Sequence, residues 1–158
     1  MTQATPVKPI PDGYHALSTY ISTKRAAEAI DFYQRALGAR ELYRLDMPDG
    51  RIGHAELQIG DSRMMLADEF PDMPDGIVKS PETLGGTTFG HHVYVHNVDE
   101  AFQRALDAGA VVKRPVANQF YGDRSGTFAD PFGHIWTLAT HIEDVPPEEM
   151  RRRMKDQM

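Results

Sequence analysis

The feature that most constrains this chain is an internal repeat. "ALGA" at 36–39 is answered by "DAGA" at 107–110, 71 residues on, each closing a stretch with helical periodicity. Before the first lies "YHALSTYIST" (14–23), rich in β-compatible residues and predicted as a strand. "KRAAEAIDFYQRALG" (24–38) sets Ala26, Ile30, Tyr33 and Leu37 at helical spacing and ends on Gly38 as a C-cap. "ARELYRLDM" (39–47) predicts a strand and "PDG" (48–50) a turn. "RIGHAELQIG" (51–60) alternates a polar face, His54, Glu56 and Gln58, with an apolar one, Ala55, Leu57 and Ile59. Asp61-Ser62 then turn the chain into "RMMLAD" (63–68). The second pass repeats the order: "FGHHVYVHN" (89–97), "VDEAFQRALDAG" (98–109), "AVVKRPV" (110–116), "GTFAD" (126–130) and "HIWTLAT" (134–140). A β-α-β-β-β unit cannot bury its own sheet face, so two of them are expected to pair.

The expected organisation is an arm over 1–13, one domain over 14–142, and a C-terminal helical tail over 143–158. Within the domain, repeat one spans 14–68, a linker or lid 69–88, and repeat two 89–142. The linker holds prolines and glycines without periodicity. Net charge is −6, and the single basic run, Arg151-Arg152-Arg153, sits among acids, which argues against a nucleic-acid surface. With no cysteine, disulfides, thiolate metal sites and cysteine nucleophiles are excluded. No apolar run approaches the ~20 residues that span a bilayer, and "MTQATPVKPIPDG" lacks the apolar centre of a secretion signal. A cytoplasmic protein with no membrane partner is expected.

"AAEAIDFYQRALGA" after the first strand and "DPFGHIW" before the last resemble the vicinal oxygen chelate superfamily, as do the runs "DGRIGHAELQIGDSRMMLADE" and "YGDRSGTFADPFGHIWTLATH". This is the superfamily of glyoxalases, bleomycin-resistance proteins and extradiol dioxygenases, and the chain is most similar to its short glyoxalase-like members associated with phosphonate gene clusters. The likeness covers residues 12 to 155 or so. It implies an α+β fold in which two βαβββ repeats form a curved mixed sheet around a shared cavity, and a homodimer. It also implies four cavity positions where the metal enzymes carry histidine, glutamine or glutamate. Counted from the helix-end glycines these fall on Ser18 and Gly90; counted within the last strands, on Met65 and Thr137. Serine, glycine, methionine and threonine are poor ligands for zinc, iron, nickel or manganese, so no metal and no cofactor is expected.

Other histidines leave an alternative open. Alternation turns His92, Tyr94 and His96 toward the cavity and His91, Val93 and Val95 toward the helix. His54, Glu56 and His92 would then meet as two imidazoles and a carboxylate, the donor set of a relocated divalent metal. Neighbouring histidines in "GHHVYVH" cannot chelate together, because they face opposite ways. Arg124 reads as a clamp at the cavity mouth or as a surface ion pair to Asp123 or Asp130. "LGGTT" (84–88) lacks the Lys-Ser/Thr follow-on of a phosphate loop, and no serine sits in a nucleophile elbow. Met64 is expected in the core, Met65, Met73 and Phe70 along an adaptable apolar pocket, and Trp136 under the second helix. "DPFG" reads as a reverse turn with His134 at its exit.

The sequence thus points first to a metal-independent protein that binds a small organic molecule. Its pocket would be lined by Ser18, Tyr20, His54, Glu56, Met65, His92, Tyr94 and Thr137, with Arg124 at the mouth. The alternatives are a metal-dependent lyase, isomerase or dioxygenase on His54, Glu56 and His92, and a metal-free enzyme in which Glu56 or His92 moves a proton.

Overall fold

Alternating inward residues on each strand and one apolar stripe on each helix build two matching layers. The computed structural model describes residues 5–74 and 76–158; the first four positions of the N-terminal arm and Asp75 of the linker lie outside the described residues. In chain order the elements are β1 (Thr19–Thr23), α1 (Ala26–Leu37), β2 (Arg40–Asp46), β3 (Ile52–Ile59) and β4 (Ser62–Asp68). They continue with α2 (Pro81–Leu84), β5 (Gly90–Tyr94), α3 (Val98–Asp107), β6 (Val111–Asn118), β7 (Asp123–Ala129), β8 (Ile135–His141) and α4 (Pro147–Asp156). The strands form two four-stranded mixed sheets, ordered β1-β4-β3-β2 and β5-β8-β7-β6. In each, the first strand pairs parallel with the last and the others pair antiparallel. The fold is α+β, two βαβββ units in tandem.

Each helix start is tied to the last strand of its own sheet. The Asp68 carboxylate, ending β4, accepts from Ala26 N at 3.0 Å and from Ile52 N at 2.6 Å. Thr140 on β8, 72 positions later, accepts from Val98 N at 2.9 Å. Both satisfy a donor that a helix's first turn leaves free. The helices then clasp one another. Arg35 of α1 donates to Ala108 O at 3.3 Å, and Arg104 of α3 donates to Ala36 O at 3.2 Å, so each arginine serves a carbonyl at the other helix's end.

The core lies between sheets and helices: Ile21, Ala55, Leu57, Met64 and Leu66 face Ile30, Phe32 and Tyr33, while Phe128 and Leu138 face Val98 and Phe102. Met64 is in the core as expected. Gly126 on β7 shows how tight this layer is, because a Cβ there would come within 2.8 Å of both Phe102 Cε2 and Val116 Cγ2. Gly126→Ala is therefore expected to cost about 1–3 kcal/mol through overpacking, read as a lowered urea midpoint at unchanged slope.

Three local expectations change. β1 begins at Thr19, since Tyr14 N instead closes a turn onto Pro11 O at 3.1 Å. β7 begins three residues earlier than the apolar pattern indicated, at Asp123, because its polar start still pairs with β8. Trp136, expected under the second helix, has Tyr33 of α1 and His91 as its ring neighbours, at 5.2 and 4.0 Å between centroids. Its Nε1–H donates to Asp130 at 2.9 Å. That buried carboxylate, 4% exposed, also accepts from Tyr33 Oη at 2.6 Å, Phe132 N at 2.9 Å and His134 N at 3.0 Å. His134 Nε2 in turn contacts Ser22 O of β1 at 3.0 Å. The DPFG turn thus joins the repeats as well as reversing the chain.

Candidate functional site

Strand register sets four side chains in one row across the face of the first sheet turned away from α1. Tyr20 pairs with Met65, Met65 with Glu56, and Glu56 with Tyr43. One pleat away on β3, His54 links the row: its Nδ1 lies 3.1 Å from Tyr20 Oη and its Nε2 3.1 Å from Glu56 Oε1. An ionised carboxylate can only accept, so Nε2 carries the hydrogen in the neutral imidazole and Nδ1 accepts the Tyr20 hydroxyl. Tyr14 holds the Glu56 carboxyl below its ordinary range, with lesser help from His54 and Arg63 and against partial burial. Tyr14 itself is pushed up to about 12, first by burial and then by Glu56. Its buried hydroxyl lies beside Glu56 yet outside hydrogen-bond geometry to any partner. Arg63 pins this end of the arm, stacking over the Tyr14 ring at 4.8 Å and donating to Asp12 O at 3.0 Å.

The same face continues past Tyr20 into a cavity of about 480 Å³. Its floor is Tyr20, Ser22, Gly53, Ala67 and Asp68; its roof is Phe70, Met73, Ile77 and Val78 from the loop after β4. Part of the linker therefore roofs the cavity, and its neck is latched. Glu69 N donates to Thr23 O at 2.7 Å, and the Glu69 carboxylate accepts from Ser80 Oγ at 2.7 Å and Thr83 Oγ1 at 2.6 Å. Arg51 lies over the Phe70 ring at 4.3 Å. Ser22 is 3% exposed and lines this cavity, and its Oγ has no partner among the described residues.

The second sheet holds the remaining candidates. His92 pairs with Thr137, whose Oγ1 lies 2.8 Å from Thr127 Oγ1. His92 and Ser18 line a groove of about 310 Å³ at the seam between the repeats, with Gly90. Tyr94 donates to Asp123 at 3.0 Å, and Asp123 meets His141 Nδ1 at 2.7 Å. Asp123, followed by Asp144, raises the His141 pKa above its ordinary value. His91, half-buried, stacks on Trp136, on the helix side as alternation required.

Tyr20, His54, Glu56 and Met65 thus come together, while His92, Tyr94 and Thr137 stand on the other sheet. Among the described residues no three His, Asp or Glu side chains are placed to hold one metal ion, so His92 does not complete a triad with His54 and Glu56 in this chain. The residues beside Met65 and Thr137 are Tyr20 and His92, with Ser18 and Gly90 one pleat earlier. Arg124, on the α3 side of its sheet, spends its fork on Asp99 at 2.8 Å through both Nε and Nη2, rather than on Asp123 or Asp130. Sequence reasoning missed Ser22 and Tyr14. The first is within reach, two residues from Tyr20 and therefore on its face; the second falls where the β-compatible pattern predicts the start of a strand, although β1 begins only at Thr19.

A chain of two βαβββ units, with a polar row and a roofed cavity on one face of the first sheet, is a paired-module protein. The profile of the Glyoxalase/Bleomycin resistance protein/Dioxygenase superfamily matches residues 15–138, and the chain belongs to that superfamily. It is 44% identical over 142 residues to the uncharacterized protein Mb0911c of Mycobacterium bovis, covering 90% of this chain and 93% of that one. The same identity holds for the uncharacterized protein Rv0887c of Mycobacterium tuberculosis, over 90% of this chain and 84% of the relative. Among solved structures, TioX from Micromonospora sp. ML1 is 26% identical with a TM-score of 0.61, over 80% of this chain and 98% of TioX. The fosfomycin resistance protein FosX of Listeria monocytogenes shares the fold, at 18% identity and a TM-score of 0.62, over 86% of this chain and 97% of FosX. Proteins of this superfamily are commonly dimeric and bind small molecules. Among the described residues no helix is long and apolar enough to cross a membrane.

Proposed function

We propose that this chain is a small-molecule-binding protein that takes a neutral, largely apolar organic ligand in the lidded cavity without a metal ion. The observation that carries the reading is Ser22, which lines a cavity of about 480 Å³ with a buried hydroxyl that has no partner among the described residues. An unsatisfied buried polar group costs about 1–3 kcal/mol, and a ligand oxygen in the cavity would remove that cost. The volume lies within the usual range for small-molecule sites, and an apolar roof with few polar groups suits an organic body. No lysine or arginine lines the cavity, and Asp68 disfavours anions there. Tyr20 is the one residue of the expected contact set that lines this cavity; His54, Glu56 and Met65 border it through Tyr20.

Protein dialysed against EDTA is expected to bind members of a panel of neutral bicyclic ketones and phenols, seen as a raised melting temperature and a saturable titration. Ligand at a hundred times Kd stabilises by about 2.7 kcal/mol. Ala67→Leu, which fills the floor, should weaken that binding about tenfold or more. Binding that requires a restored divalent ion, or that is indifferent to Ala67→Leu, overturns the reading. We further propose a homodimer, supported by exposed apolar side chains on the sheets: Tyr43 and Leu45 on β2, Tyr94 on β5 and Val111 on β6 are each at least 50% exposed.

A further inference from the structure

The cavity wall formed by Tyr20 is also the end of a hydrogen-bonded chain. Glu56, His54 and Tyr20 follow one another at 3.1 Å and 3.1 Å, carboxylate to imidazole to phenol. Of the three, only Tyr20 lines the cavity. An acceptor nitrogen behind a hydroxyl, itself oriented by a carboxylate, is the arrangement that lets a hydroxyl oxygen take up a proton as it gives its own away. On the same strand and face, Ser22 lines the same space, and its buried hydroxyl has no partner among the described residues. Apart from the Asp68 carboxylate in its floor, which is engaged by Ala26 N and Ile52 N, the cavity therefore presents one proton acceptor and one hydrogen-bond donor against an apolar roof, with no cation among the described lining residues.

We propose that the Glu56–His54–Tyr20 chain is a proton relay and that the cavity enolises a neutral, apolar ketone, Tyr20 removing a proton from the carbon beside the carbonyl while Ser22 donates to the carbonyl oxygen. This rests on the reading of the cavity as the ligand site. In the step, the substrate C–H bond breaks and its electron pair moves onto the carbonyl oxygen, giving an enolate held by the Ser22 hydroxyl. The substrate proton bonds to Tyr20 Oη as the phenolic proton passes to His54 Nδ1. The imidazolium so formed is held by the Glu56 carboxylate through Nε2–H. Return of a proton to carbon reverses every transfer, so the net change is exchange or isomerisation and no oxidant or reductant is consumed. Burial raises the Tyr20 phenol above its ordinary value, which makes its oxygen the stronger base once the proton has passed to His54. Tyr20 is the catalytic residue here; His54 and Glu56 act through it.

The test uses 2-tetralone, a neutral bicyclic ketone with acidic protons beside the carbonyl, in D2O. Binding is read by saturation-transfer NMR and titration, and exchange by loss of the α-proton signal. Wild-type protein is expected to bind the ketone and accelerate its exchange, and Tyr20→Phe should lower that rate about 100-fold. Glu56→Gln, outside the cavity, should lower the rate constant about 100-fold while leaving Kd within about twofold, and should shift the pH profile of exchange. Glu56→Asp should recover part of the loss, which a merely structural role for Glu56 would not predict. Bound ketone that exchanges no faster than in buffer, or equally fast with Tyr20→Phe, overturns the relay and leaves the binding reading standing. If 2-tetralone does not bind the wild type, the cavity reading falls and the relay with it.

Discussion

Asp130→Ala is expected to lower stability by about 4 kcal/mol, the largest single loss in the molecule. Four donors converge on this one buried carboxylate, from Tyr33, Trp136 and the backbone of Phe132 and His134. Removing it leaves the phenol and the indole N–H without acceptors in a layer where Tyr33 and Trp136 are almost wholly buried. Burial, reinforced by Asp130, pushes the Tyr33 pKa well above its ordinary value, so the phenol remains a donor. Asp130→Asn retains an acceptor oxygen but turns an NH2 toward further donors, and should cost about half as much. The measurement is urea unfolding followed by circular dichroism and by the fluorescence of Trp136, the chain's one tryptophan. Because the knot joins residues of both repeats, both probes should shift together. An Asp130→Ala protein within about 1 kcal/mol of the wild type would contradict this account.

Acidification should reveal the second large effect, at His91. Burial, followed by the neighbouring His134, lowers the His91 pKa from 6.5 to about 4. Neither ring nitrogen meets a hydrogen-bond partner among the described residues, and the ring lies flat on Trp136 at 4.0 Å. The unfolded chain takes up this proton near pH 6.5, while the folded chain resists it down to about pH 4. Stability attributable to the neutral ring is therefore complete above about pH 6.5 and falls as pH drops through that window, by at most about 3 kcal/mol. His91→Phe keeps the stack and removes the titration. The difference between wild-type and His91→Phe melting temperatures should move in favour of the variant between pH 7 and pH 4.5 or so. A constant difference would show that the folded chain takes up the His91 proton as readily as the unfolded one, and would overturn this account.

The repeat made the architecture legible, because a glycine after each amphipathic helix and alternation along each strand are local signals. The same alternation assigned His91 and His92 to opposite faces and brought Tyr20, His54 and Glu56 onto one. What remained hidden depends on distances across the fold. Trp136 lies against the first helix because the two repeats pack helix to helix, a relation no strand pattern encodes. Arg124 pairs with Asp99 because β7 runs past the start of α3. Phe70 and Met73 are legible as pocket residues by their type, whereas Ile77 and Val78 lack periodicity, and their place in the roof becomes visible only when the loop folds back over Ser22 and Ala67. His92 belongs to the other sheet, a separation that spacing within a strand cannot reveal.

Glu69 gives the lid a consequence of its own. With Glu69 held to Thr23, Ser80 and Thr83, the segment between 69 and 80 leaves and re-enters the scaffold at two fixed points. The roof is in effect a cassette. Its side chains can be exchanged, lengthened or shortened at small entropic cost without disturbing the strands beneath. Under the proposed function, a change of ligand would need to alter only about ten residues, while the polar row beside them stays as it is. Transplanting this segment from a relative, with Glu69 and Ser80 kept as its borders, is the economical way to move ligand preference from one member of the superfamily to another.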